Sequence, residues 1–164
     1  NASSLHRQRD HDPRSLVTIS PTTGIYAAVR TLIAKKISGA PVINDDRRLV
    51  GILSEKDCFR VLTTTAFEGN PEGRVRDYMT SEVQTVNPST SFYEIVSILQ
   101  RETFRRLPVI DRHGRLVGQI SRRNVLTVIE SMANNWFLFG VEDHTLPSQE
   151  VSGVRSAMQR ARNQ

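Results

Sequence analysis

Ser54 and Asp57 stand three residues apart in Gly51-Ile52-Leu53-Ser54-Glu55-Lys56-Asp57, where an apolar run gives way to a helical pattern. That spacing supports two kinds of chemistry. An ionised carboxylate is acceptor-only and can take two donors at once, and a serine hydroxyl at a helix N-terminus favours a phosphate. The same pattern is also a capping box, in which both side chains serve only the backbone. Gly118-Gln119-Ile120-Ser121-Arg122-Arg123-Asn124 repeats it with asparagine in place of aspartate. An amide offers one acceptor oxygen and no charge, so the second box is the poorer acceptor.

Arginines gather in two places: Arg105 and Arg106 with Arg112, Arg115, Arg122 and Arg123, and the tail residues Arg155, Arg160 and Arg162. Guanidinium groups bind phosphate through paired hydrogen bonds. The alternative is a solvated surface, with Asp111 or Glu102 as ion-pair partners. Little else is reactive. His6 and His11 form a weak metal pattern, His113 falls in a turn, and His144 lies in the tail. Cys58 has no histidine at a diagnostic spacing, and no hydrolase, zinc-protease or phosphate-loop motif occurs. The expectation is no catalytic residue, no metal site and no required cofactor: a ligand held here would be sensed, not turned over.

These residues are positioned by a duplication. Ile19-Ser20-Pro21 returns as Val86-Asn87-Pro88, Pro41-Val42-Ile43 as Pro108-Val109-Ile110, and Arg48-Leu49-Val50-Gly51 as Arg115-Leu116-Val117-Gly118, always 67 residues on. Each copy is too short to bury much apolar surface alone. Two packed together make one domain with an internal pseudo-twofold, and such an axis leaves paired clefts.

Patterning predicts β-α-β-β-α in each copy. In the first, Leu16 to Ile19 is a strand and Thr22-Thr23-Gly24 opens a helix. That helix carries Ile25, Val29, Leu32, Ile33 and Ile37 and ends at Ser38-Gly39. A strand follows with Pro41 as its first residue. Asn44-Asp45-Asp46 is a turn, Leu49 to Leu53 the hairpin partner, and Ser54 caps a second helix. In the second copy Val83 to Val86 is a strand, and Ser91 with Glu94 caps a helix bearing Phe92, Ile95, Val96 and Leu99. Leu107 to Ile110 and Leu116 to Ile120 are strands, and a helix runs from Asn124 to about Phe139. Arg74 to Thr80 forms a short turn or helix between the copies. The expected organisation is a lead-in at 1–14, repeats at 15–66 and 79–132, a linker at 67–78 and an extension at 133–164. Trp136 to Phe139 either seals the core or forms a dimer contact.

Composition bounds the rest. A chain of 164 residues that is 38% hydrophobic and 24% charged is ordinary for one soluble domain. No apolar run approaches the roughly 20 residues of a membrane span, and Asn1 to Arg14 contains no signal-peptide core. One cysteine excludes an internal disulfide and suits a reducing compartment, so a cytoplasmic location is expected. The net charge of +5 is compatible with acidic partners. The basic tail lacks interleaved aromatics, which argues against nucleic acid.

The duplicated unit, the Ser-Pro or Asn-Pro after the first strand, the Pro-Val-Ile strand, Gly-x-x-Ser-x-x-Asp, and the Arg-Asp-Tyr-Met-Thr lead-in at 76–80 together resemble CBS domains in a tandem pair. The resemblance spans about residues 15–132. It implies an α/β (α+β) fold of two repeats packed sheet to sheet about a pseudo-twofold axis, two clefts, and assembly as a homodimer. It also implies a regulatory role: an adenosine-containing ligand such as AMP, ADP, ATP or S-adenosylmethionine, with its occupancy passed to an effector protein. On that resemblance Asp57 takes both ribose hydroxyls beside Ser54. Val83, Gln84 and Thr85 complete the cleft, and Arg105, Arg106 and Arg123 hold phosphate. The opposite cleft joins Ser121 and Asn124 with Leu16, Val17, Thr18, Ser38, Gly39 and Lys56, and has Ser38-Gly39 where the first has its arginine pair. One good anion-accepting cleft and one poor one are therefore expected. The alternative reading is a structural dimerisation or protein-interaction module with unoccupied clefts.

Overall fold

The computed structural model describes residues 16–68, 73–103 and 105–139. The lead-in at 1–14, residues 69–72 of the linker and the basic tail lie outside the described residues, as do the side chains of the Trp136–Phe139 cluster. The chain forms two compact units. Among the described residues, one holds 16–84 together with Arg112–Leu116, and the other holds Thr85–Asp111 and 117–139.

In the first unit, α1 (Ile25–Lys35) buries Ile25, Ala28 and Leu32, spaced to face one side of a helix. It stops earlier than expected. Lys36 turns left-handed at φ 53°, and the Ile37 N–H reaches back to the Leu32 carbonyl, which closes the helix end. Gly39 is not its terminator but the first residue of β1 (Gly39–Ile43), where a Cβ would sit 2.9 Å from the Leu53 carbonyl oxygen. β1 pairs antiparallel with β2 (Leu49–Ser54), Gly39 opposite Ser54 and Pro41 opposite Ile52. Pro41 is thus the third residue of its strand, not the first. It is tolerated there because the Ile52 N–H and carbonyl both face outward, paired with Thr80 at 2.9 Å. The expected strand Leu16–Ile19 reduces to one parallel bridge, Ile19 to Val42.

The turn before β2 is set by Asn44, whose Oδ1 accepts from the Asp46 and Arg48 N–H groups. Arg47 sits left-handed at φ 62°, where the second copy has Gly114 at φ 77°. Residues 112–116 pair with this turn: the Leu49 N–H donates to the Gly114 carbonyl and the Leu116 N–H to that of Arg47, each at 3.0 Å.

After β2, α2 (Glu55–Glu68) buries Val61. The short α3 (Val75–Tyr78) folds back onto the same unit and buries Val75 and Tyr78. Backbone bonds from Ile25 to Gly73, Val75 to Thr23 and Arg76 to Pro21 fix it there. The segment between the copies is therefore part of this unit's core, alongside Ile25, Val42 and Leu53.

The second unit repeats the plan with α4 (Phe92–Arg101), β3 (Arg106–Ile110), β4 (Leu116–Ser121) and α5 (Arg122–Phe139). Its first strand likewise shrinks to a bridge, Val86 to Val109. Ser91 caps α4 through the Glu94 N–H, and Ile95, Ile98, Leu107, Val109 and Ile120 form the core. α5 starts at Arg122, two residues before the expected Asn124, because Ser121 is its cap. Equivalent apolar side chains stay exposed in both copies: Tyr26 and Tyr93, Phe59 and Leu126, Leu62 and Ile129.

Candidate functional site

The junction of β2 and α2 builds the first candidate site. Ser54 ends the strand and caps the helix. Its Oγ accepts from the Asp57 N–H at 3.2 Å, while its own N–H and hydroxyl both donate to Asp57 Oδ2 at 2.8 Å. The capping box foreseen as the structural alternative is therefore present. It occupies one carboxylate oxygen only. Oδ1 accepts from the Thr80 hydroxyl at 3.3 Å, longer than the usual O–H···O distance of about 2.7–2.8 Å. A carboxylate has about four lone-pair sites, so Oδ1 retains acceptor capacity, and Asp57 is only half-buried.

The second junction is built alike. Asn124 Oδ1 accepts from the Ser121 N–H at 2.7 Å and from its hydroxyl at 2.8 Å, and Ser121 Oγ accepts from the Asn124 N–H at 3.2 Å. The amide spends its one oxygen on the cap. Where Asp57 presents a second oxygen, Asn124 has an NH2 group, which can only donate. The two boxes are equal as caps and unequal as acceptors.

The loop before each hairpin is tied to its helix. The Glu55 N–H donates to the Ser38 carbonyl at 2.9 Å, and the Arg122 N–H to that of Arg105 at 3.1 Å. Of the residues expected around Asp57, Ser54, Val83 and Gln84 share its unit, whereas Thr85, Arg105, Arg106 and Arg123 belong to the other. Of those expected around Asn124, Ser121 shares its unit, and Leu16, Val17, Thr18, Ser38, Gly39 and Lys56 lie in the first. Arg105, Arg106 and Arg123 are exposed, and Val83 and Thr85 half-buried.

The arginine cluster read from the sequence divides. Arg112 and Arg115 go with the first unit. Arg122 is structural: its guanidinium donates to the Leu99 and Glu102 carbonyls at 3.2 and 2.8 Å and so closes the C-terminus of α4. Thr80 is the site residue that sequence reasoning missed. Met79-Thr80 ends the 76–80 lead-in, and nothing in that motif points to Asp57. Cys58, next to Asp57, has its thiol pKa raised, first by burial and then by the Asp57 and Glu55 carboxylates. Among the described residues no group of His, Cys, Asp and Glu is placed to hold a metal ion, and no helix is long and apolar enough to cross a membrane.

The CBS domain family matches residues 13–64 and 75–131. The chain belongs to that family. It is 30% identical over 117 residues to an uncharacterized protein of Methanocaldococcus jannaschii, a match covering 71% of this chain and 40% of that protein. It is 32% identical over 114 residues to the inosine-5'-monophosphate dehydrogenase of Thermoplasma acidophilum, covering 70% of this chain but 22% of the enzyme. The chain thus spans well under two thirds of these relatives. Among solved structures it is similar to the CBS-pair protein CBSX2 of Arabidopsis thaliana in complex with AMP, with TM-score 0.65 and 31% identity over 73% of this chain and 91% of that one. The β-α-β-β-α repeats are those of a tandem CBS pair.

Proposed function

We propose that this CBS pair is a non-enzymatic regulatory module that senses an adenosine-containing ligand, with Asp57 as its ribose acceptor. The observation that carries the reading is the inequality of the two boxes. Asp57 keeps acceptor capacity on Oδ1 after capping its helix, whereas Asn124 spends its one oxygen on the cap. The AMP complex of the similar CBSX2 supports the ligand class. Phosphate recognition falls to Arg105, Arg106 and Arg123, and Val83, Gln84 and Thr85 line the adenosine end. The Asn124 box, with Ser121, Leu16, Val17, Thr18, Ser38, Gly39 and Lys56, forms the weaker second site.

The module acts as a homodimer in a reducing compartment such as the cytoplasm. The exposed pairs Phe59 and Leu126, Leu62 and Ile129 support self-association through α2 and α5, since apolar side chains left on a surface mark contact sites. Ligand shifts the populations of subunit or repeat orientations, which an effector protein reads. The test is calorimetric titration with AMP, ADP, ATP and adenosine. One tight site per chain is expected, and Arg106→Ala should weaken ATP more than adenosine. Equal losses for both remove the phosphate role. Two equal sites per chain contradict the asymmetry.

A further inference from the structure

The Thr80 hydroxyl stands on the carboxylate oxygen that a ribose diol would need. Asp57 Oδ2 is filled by the Ser54 N–H and hydroxyl, so two donors from a ligand must both use Oδ1. Thr80 already occupies part of Oδ1, at 3.3 Å. The threonine cannot simply leave, because its backbone pairs with Ile52 in both directions at 2.9 Å. The preceding Met79 also packs over Gly51: a Cβ there would lie 2.7 Å from Met79 Sδ and 2.9 Å from the Thr80 carbonyl oxygen. The side chain itself is exposed and its bond to Asp57 is long, so it can rotate away while the backbone stays.

The geometry points to Thr80 as an affinity-setting residue: its hydroxyl is a built-in competitor for Asp57 Oδ1, displaced when a diol-bearing ligand binds. This rests on the ribose reading of Asp57 and adds a residue and a sign to it. A threonine that merely supported the site would weaken binding when removed; a competitor strengthens it. Valine keeps the shape and strand preference of threonine and every backbone bond, and deletes only the hydroxyl. Serine keeps the hydroxyl.

The test compares AMP with 2',3'-dideoxyadenosine monophosphate, which lacks the diol, on the full chain and its Thr80→Val and Thr80→Ser variants. Thr80→Val should bind AMP roughly 2- to 10-fold more tightly, less than a full bond to a charged group is worth because the Thr80 bond is long at 3.3 Å, with the dideoxy analogue unchanged. Thr80→Ser should match the parent for both. Unchanged or weaker AMP binding by Thr80→Val, or equal gains for the two ligands, overturns the role of Thr80 and leaves the ribose reading standing. AMP binding by neither parent nor variant, in proteins that melt cooperatively, overturns both.

Discussion

Replacing Asp57 by asparagine separates the two roles that its side chain combines. As a cap it accepts two hydrogen bonds on Oδ2, from the Ser54 N–H and hydroxyl. The second copy shows that an amide does this equally well, with Asn124 Oδ1 at 2.7 and 2.8 Å from the same donors of Ser121. Asp57→Asn should therefore change stability by less than about 0.5 kcal/mol, whereas Asp57→Ala should cost about 1 kcal/mol, the usual worth of a lost cap. Binding should divide the other way. Asparagine turns an NH2 group toward the position of Oδ1, so both variants lose the charged acceptor, worth about 1.5–3 kcal/mol, or roughly 10- to 150-fold in Kd. Urea unfolding gives the first quantity and calorimetry with AMP the second. AMP binding by Asp57→Asn at parental strength refutes the ribose assignment. An equal loss of stability in the two variants refutes the separation of roles.

Gly51→Ala should be destabilising and should disturb the 73–80 segment, since a Cβ would crowd both Met79 Sδ and the Thr80 carbonyl; Gly118→Ala, with nothing within 4 Å among the described residues, should be near neutral in urea unfolding. Gly114→Ala should cost about 1–2 kcal/mol through backbone conformation alone, because its φ of 77° meets no steric neighbour among the described residues. Conversely, Arg47→Gly should stabilise by up to about 1 kcal/mol at φ 62°. The raised pKa of Cys58 means the folded state holds its thiol proton more tightly than the unfolded chain. Its contribution is therefore fully present below the ordinary value of 9.0 and declines as pH rises beyond it. Cys58→Ser should flatten that part of the stability–pH profile.

The duplication made most of the fold legible, because a constant offset let each copy check the other: both Ser-x-x-Asp/Asn boxes, both hairpins and all the helices that follow them were readable. The misreadings share a cause. Ser38-Gly39 looked like a helix end because glycine commonly ends helices, yet Gly39 is required by the close approach of the Leu53 carbonyl, a tertiary fact. Leu16–Ile19 and Val83–Val86 read as strands by composition but pair at one residue each, Ile19 and Val86. The arginines could be counted but not sorted. That Arg122 closes α4 follows only from the fold bringing it to the Leu99 and Glu102 carbonyls. Thr80 was invisible for a similar reason: its bond to Asp57 spans 23 residues and depends on the lead-in folding back along β2.

The central claim, that the chain senses an adenosine-containing ligand through Asp57, is tested most directly by thermal unfolding against AMP, ADP, ATP and S-adenosylmethionine with inorganic phosphate as control. A ligand at 100 times its Kd adds about 2.7 kcal/mol, a shift of roughly 5–10 °C in Tm for a chain of this size. Such a shift is expected with at least one of the four, absent with phosphate and lost in Asp57→Ala. A cooperative transition that none of the four moves contradicts it and favours the interaction module with unoccupied clefts.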